Sequence, residues 1–186
     1  MEGLFVGFFR CSVLVLLGRL ASLAELKEQL CGFFKLAAKL IFVAQEQGEG
    51  GAFFGSVHRT LNHLLVTDRI WMWRLTGEGP TYTALDVVPY DSFASLRAER
   101  EAEDKRIVRF VDGLDEALLK ASVTYRTITS PQEITQPLAP ALLHLFNHET
   151  HHRGQVHTLL SGLGGRDAAP SLDLILFQRE SGMGAS

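Results

Sequence analysis

Cysteine is scarce in this chain of 186 residues, and clustered basic charge is missing. Cys11 and Cys31 are the only cysteines, which excludes a disulfide framework and leads us to expect a reducing, cytoplasmic compartment. The 18 lysines and arginines are scattered among 21 acidic residues, and the formal net charge is -3. Because phosphate binding requires a basic stripe, this pattern argues against a nucleic-acid partner.

Long uninterrupted hydrophobic runs are also missing. Residues 1–22 are strongly apolar, but Arg10 and Arg19 interrupt them, and Glu2 stands where a secretory signal has basic residues. A membrane-spanning helix needs about 20 consecutive apolar residues, more than this segment offers. We therefore expect no stable membrane span. We interpret 1–22 as a buried or partner-facing segment, with a signal, an anchor or an incorrectly assigned start as alternatives.

Helical periodicity is what the chain has in abundance. Apolar residues recur at helical spacing in four long segments, separated by glycine- or proline-containing breaks. These segments are 23–45, 52–76, about 92–120 and 140–163. With a short amphipathic helix at 171–180, they predict an all-α fold, an antiparallel four-helix bundle that forms a single domain over 23–183.

The ends of these segments carry recognisable signals. Gly77 follows the second segment as a helix-ending glycine, and Asp91 or Ser92 is expected to cap the third helix. Pro140 suits the first turn of the fourth. Residues 122–135 switch to β-branched and polar residues around a Ser-Pro turn, which predicts an irregular or hairpin-like connection between the third and fourth helices.

Five of the seven histidines lie on the fourth predicted helix, between 144 and 157. Since successive helical residues turn by about 100°, His152 lies about 40° and His148 about 80° from the centre of the apolar face, on the same side. His144, at about 120°, lies farther out. One inward histidine is usually a hydrogen-bonded core residue. Two at i and i+4 can both donate to one divalent metal, whereas two neutral imidazoles gain little from each other.

A third ligand has to come from another segment. The remaining histidines, His58 and His63, are both on the second predicted helix, at the flanks of its apolar face. Periodicity alone does not choose between them.

Three charged residues fall within apolar helix faces. Asp68 lies in the middle of the apolar stripe of the second helix, and Glu149 and Arg153 lie in that of the fourth. Desolvating an unpaired charge is expensive, so such residues must be paired or linked to a metal. We interpret them as outer partners of the metal ligands. The alternative is a local Glu149–Arg153 pair on a face that contacts water.

Two motifs, LNHLLVTDRIW at 61–71 and LFNHETHHRGQVHTLLSGLG at 145–164, resemble those of the DinB/YfiT-like family of metal-binding four-helix bundles. The similarity extends from about residue 51 to 180 and includes the closing DLILFQRE. It implies that His63, His148 and His152 hold one divalent ion of the zinc or nickel class. The aromatic, Asn- and Trp-containing pattern typical of the family's first helix is not found in residues 1–50.

The resemblance also implies a function. Some members of this family are thiol S-transferases, so we expect a small-molecule thiol and an electrophile as partners. The apolar N-terminal segment and the resemblance together suggest a homodimer. Three neutral histidines leave the charge of the ion undiminished and at least one coordination position open.

Two other functions compete with this one. Residues 148–152 match the HExxH pattern, in which Glu149 would be the general base of a metal-dependent hydrolase. The sequence does not match the extended form of this pattern, because Gln155 and Thr158 stand where glycine and histidine are required. A third, glutamate ligand at Glu180 would lie in the short terminal helix. The remaining alternative is a non-catalytic metal-binding or interaction bundle.

Overall fold

A computed structural model describes residues 53–165, 168–169, 171–173, 175 and 179 of the chain. Its elements, in chain order, are α1 (Val57–Thr76), α2 (Phe93–Asp112), α3 (Glu116–Lys120), β1 (Ser122–Arg126), β2 (Glu133–Pro137) and α4 (Leu138–Gly164). The described part is therefore mostly helical, with one small sheet. The helix predicted at 23–45 lies outside the described residues, as does most of the one at 171–180. The four-helix bundle thus stays a prediction.

Helix α1 begins five residues later than the sequence predicts. Gly55 has a φ of 87°, a left-handed conformation that a glycine adopts without strain, and Ser56 is extended. The Ser56 side chain accepts a hydrogen bond of 3.1 Å from the Arg59 amide and caps the helix. At the other end Gly77, with a φ of 73°, donates to the Trp73 carbonyl, as its sequence signal predicts.

The predicted third helix is divided into two. Ser92 caps α2 as expected, but the helix ends at Asp112 and a separate short helix, α3, follows. The prediction of one helix to residue 120 is wrong because Asp115 accepts a hydrogen bond of 2.7 Å from the Leu118 amide. This cap starts a new helix, while Leu114 between the two packs into the core.

Strands β1 and β2 form the hairpin expected between the third and fourth helices. They pair antiparallel, from Ser122 opposite Pro137 to Arg126 opposite Glu133. Pro140 then lies in the first turn of α4, as predicted. The described part is thus mostly helical, as the all-α expectation requires, with this one two-stranded sheet between the helices.

The core lies between α1 and its two long neighbours. Residues at the start of α1 pack against the end of α4, and Met72, near the end of α1, packs against the beginning of α4. These two helices are therefore antiparallel. Helices α1 and α2 run in the same direction, since Asp68 pairs with Arg100 and Thr76 with Arg106. The antiparallel expectation is wrong for this pair because the loop 77–92 leads the chain back along the bundle.

No helix in the described ranges combines the length and apolar character needed to cross a membrane.

Candidate metal centre

Three imidazoles converge between α1 and α4. Nε2 of His148 lies 3.3 Å from Nε2 of His63 and 3.1 Å from Nε2 of His152. One ligand atom from each ring lies within 4.8 Å of the other two. His63 and His152 are buried and His148 is half-buried, so the three nitrogens face a small, largely desolvated space.

The packing of the two helices brings these side chains together. His148 and His152 are one turn apart on α4, and the antiparallel packing of α1 places His63 opposite them. Leu64 and Leu65, next to His63 in sequence, belong to the same core cluster as Val156 of α4. The site is therefore held by the core of the protein rather than by a surface loop.

Hydrogen bonds on two of the rings fix their tautomers. The Leu85 carbonyl accepts a hydrogen bond of 2.7 Å from Nδ1 of His63, and Gln155 Oε1 lies 2.7 Å from Nδ1 of His152. With the proton on Nδ1, each Nε2 presents a lone pair to the common space. Nδ1 of His148 is buried and has no hydrogen-bond partner in the described structure.

The rings are neutral at neutral pH. Burial, together with the nearby histidines, lowers the pKa of His148 to about 3. Burial also lowers the pKa of His152, to about 4, and that of His63. Neutral imidazole is the form that binds metal ions.

The donor set fits a divalent ion. Lone pairs of unprotonated nitrogens at 3.1–3.3 Å repel each other unless a proton or a cation lies between them. Zinc–nitrogen bonds of about 2.0–2.1 Å at tetrahedral angles would separate neighbouring nitrogens by about 3.3–3.4 Å. Three protein ligands leave a coordination position open, which is typical of catalytic rather than structural sites.

Phe54 covers one side of the group. Its ring stacks on that of His63 with centroids 4.1 Å apart and an interplanar angle of 25°, and it lies 5.6 Å from the ring of His152. The left-handed turn at Gly55 separates this phenylalanine from the start of α1. Sequence reasoning did not identify Phe54.

The other histidines are placed differently. Nε2 of His58 lies 3.3 Å from Nδ2 of the Asn62 side chain, and the His58 ring packs edge-on against Phe93. The group of three thus contains His63 and not His58, the choice that periodicity left open. His151 is exposed, and His144 is exposed with its ring 6.2 Å from that of His148.

Two contacts position the loop that carries Leu85. The Asn62 side chain donates to the Tyr90 carbonyl at 3.1 Å and accepts from the Tyr90 amide at 3.2 Å. Arg69 donates to the hydroxyls of Tyr82 and Tyr90 and pairs with Glu99 of α2. The loop is therefore attached to α1, whose Arg69 is itself held by α2, and this fixes the carbonyl that orients His63.

The three charged residues singled out in the sequence lie in a buried network. Asp68, Glu149 and Arg153 are 0%, 1% and 2% exposed, which excludes the water-facing Glu149–Arg153 pair. Asp68 binds Arg100 of α2, which the sequence analysis missed. Burial raises the pKa of Glu149 well above its usual value, and the charge of Asp68 raises it further. Their role as outer partners of a metal site stays a prediction.

The hydrogen-bond partners of Nδ1 of His63 and Nδ1 of His152 are Leu85 and Gln155 instead. Gln155, three residues after His152, has a spacing that could have identified it. A backbone carbonyl such as that of Leu85 leaves no sequence signal.

A comparison with curated proteins finds no match. A comparison with protein families matches residues 35–181 to the DinB family. The match spans most of the chain and includes both histidine-bearing helices. The protein therefore belongs to the DinB family.

Proposed function

We propose that this DinB-family protein is a divalent-metal-dependent enzyme of the thiol S-transferase type, with His63, His148 and His152 as ligands. The observation that carries the proposal is the convergence of three Nε2 atoms, two of them on rings whose Nδ1 is already engaged. A divalent ion in this position lowers the pKa of a coordinated thiol or water and holds the anion as a nucleophile.

The surrounding residues favour an anionic nucleophile. All three donors are neutral imidazoles, so no ligand carboxylate offsets the charge of the ion. Phe54 lies on the ring of His63 and shields that side of the group from water. Leu85 and Gln155 hold two rings in the orientation that binding requires. Imidazole ligands suit both zinc and nickel, and we propose an ion of this class.

Metal analysis of the purified chain, followed by Co²⁺ substitution, tests this function. We expect about one ion per chain and a change in the visible spectrum of the Co²⁺ protein when the right low-molecular-weight thiol is added. The His63→Ala variant should lose both. Full metal retention in the triple His→Ala variant would refute the site. An intact site that ignores glutathione, bacillithiol and mycothiol would refute the thiol chemistry.

The position of Glu149 argues against the HExxH hydrolase. A general base must reach the metal-bound water, directly or through one water molecule. Glu149 is buried, and its strongest electrostatic interactions are with Asp68, Arg100 and Arg153. Glu149→Gln separates the two functions: a hydrolase keeps its metal and loses activity, whereas a thiol transferase keeps the spectral response to thiol.

We also propose a cytoplasmic location and a homodimer. The scarcity of cysteine supports the cytoplasmic location, and the apolar segment 1–22 supports the homodimer. Light scattering that gives a concentration-independent mass of 20.6 kDa would refute the dimer.

A further inference from the structure

Arg74, near the end of α1, is a half-buried cation without an acidic partner among the described residues. Its Nη2 donates a hydrogen bond of 2.9 Å to the backbone carbonyl of Arg126 in β1. Burial lowers its pKa, because no carboxylate compensates for the lost hydration. Other buried arginines of this protein, Arg69 and Arg100, have carboxylate partners.

Two aromatic rings hold this guanidinium in place. Its central carbon lies 4.7 Å from the ring centroid of Trp71 and 4.7 Å from that of Tyr125. The two rings also contact each other, with centroids 5.0 Å apart. Cation–π contacts on two sides keep the group rigid while its N–H donors are only partly used, since one hydrogen bond to a carbonyl leaves several free.

A continuous row of rings connects Arg74 with the candidate metal centre. The ring of Trp71 lies 5.4 Å from that of His144, and the ring of His144 lies 6.2 Å from that of His148. His144 is exposed, so the row faces solvent between the two ends. A ligand at the three histidines can therefore extend along His144 and Trp71 towards Arg74.

The helix sets the length of such a ligand. The contact with Trp71, three residues earlier in the chain, shows that the guanidinium lies back over α1 at about the level of Trp71. Trp71 follows His63 by eight residues, which corresponds to about 12 Å along the helix axis. An extended tripeptide spans about 10–11 Å, whereas a single amino acid is much too short.

We propose that Arg74 forms an anion subsite for the carboxylate of an elongated substrate whose reactive end lies at the three histidines. The proposal rests on the proposed function for the position of the reactive end. It adds a substrate class, an acid of about tripeptide length, and a specificity-determining residue. A planar guanidinium matches a carboxylate through two parallel hydrogen bonds, which a lysine cannot make.

S-methylglutathione is a suitable probe, because it keeps both carboxylates and cannot offer a thiolate to the metal. Its diethyl ester has the same length without the carboxylate charges. In a Trp73→Phe background Trp71 is the only tryptophan, and its fluorescence reports binding beside Arg74. We expect the metal-loaded protein to bind the acid at least tenfold more tightly than the diester.

Variants assign this preference to one residue. Arg74→Met should weaken binding of the acid by about tenfold and leave binding of the diester unchanged. Arg74→Lys keeps the charge, so its affinity for the acid should lie between that of the parent protein and that of Arg74→Met. Arg109→Met, the control, removes an exposed arginine of α2 and should change neither affinity. If Arg74→Met does not fold, the affinities of the parent protein and of Arg74→Lys for the acid and the diester still test the subsite.

Each outcome has a definite reading. Equal affinity for acid and diester, no binding of the acid at millimolar concentration, or equal losses for both in Arg74→Met would overturn the subsite. A thiol-insensitive Co²⁺ spectrum together with Arg74-dependent binding of S-methylglutathione would refute the thiol chemistry and support the subsite. A thiol-sensitive Co²⁺ spectrum together with binding of S-methylglutathione that does not depend on Arg74 would refute the subsite and leave the thiol chemistry standing.

Discussion

The backbone carbonyl of Leu85 lies 2.7 Å from Nδ1 of His63 and determines which nitrogen of that ring is free. A carbonyl oxygen only accepts hydrogen bonds, so the proton must be on Nδ1 and the lone pair on Nε2. The same loop is bound through Tyr90 to Asn62, one residue before His63. The ring of His63 is thus oriented by its own helix and by the loop that follows it.

The first prediction concerns the ligands. Replacement of His63, His148 or His152 by Ala should weaken Zn²⁺ binding by more than about 100-fold, because each removes one of three donors, a larger effect than loss of an outer partner. Competition with a chromophoric chelator measures this.

Two control variants make the test specific. His58→Ala removes the other histidine of α1, and His157→Ala removes a histidine of α4 outside the group of three. Both should bind Zn²⁺ with nearly the parent affinity. A loss in His58→Ala equal to that in His63→Ala would contradict the assignment of the third ligand.

The second prediction concerns Gln155, which accepts from Nδ1 of His152. Gln155→Leu should lower Zn²⁺ affinity by about 10–100-fold, because the ring loses the partner that fixes its tautomer and raises its basicity. Gln155→Glu, a stronger acceptor, should restore or increase it. Thr158→Val, on the same helix and exposed, is the control, and an equal effect there would show that Gln155 acts only through helix stability.

Much of the candidate centre could be predicted because helical periodicity is a local property. The spacing of His148 and His152 fixes their relative direction on α4, and the caps at Ser92 and Gly77 are encoded by single residues. The hairpin was likewise indicated by its β-branched residues.

Contacts between distant segments left no such signal. Every residue carries a backbone carbonyl, so the identity of Leu85 does not mark it as the acceptor for His63. The pairing of Asp68 with Arg100 depends on α1 and α2 running in the same direction. That direction is set by the loop 77–92, whose path the sequence does not reveal. The assignment of His63 required the resemblance, since the apolar face of α1 left His58 equally acceptable.

The third prediction concerns pH. Burial raises the pKa of Asp104 to about 7. Nη2 of Arg100 lies 2.7 Å from Oδ1 of Asp104, and its charge opposes this shift. Because the folded state holds this proton more tightly than the unfolded state, the contribution of Asp104 to stability is fully present below its ordinary pKa and is lost as pH rises through about 7. Between pH 6 and 8.5 the parent should lose on the order of 1 kcal/mol of unfolding free energy that Asp104→Asn does not lose.

Urea titrations in the presence of EDTA measure this difference without a contribution from metal binding. Glu116→Gln, at an exposed position of α3, should follow the parent protein. Identical pH profiles for the parent and Asp104→Asn would show that Asp104 is ionised throughout this range.

The last prediction concerns the buried pair of Asp68 and Arg100, which are 0% and 1% exposed. Arg100→Met should destabilise the fold by about 3–5 kcal/mol, because it leaves the carboxylates of Asp68 and Asp104 buried beside an apolar side chain. Asp68→Asn should cost less, since Arg100 keeps Asp104 as a partner. The double variant should recover at least about 1 kcal/mol relative to the sum of the single changes, because residues in direct contact are energetically coupled. Urea unfolding of the four proteins gives this coupling energy, and strict additivity would show that Asp68 and Arg100 do not interact as the structure places them.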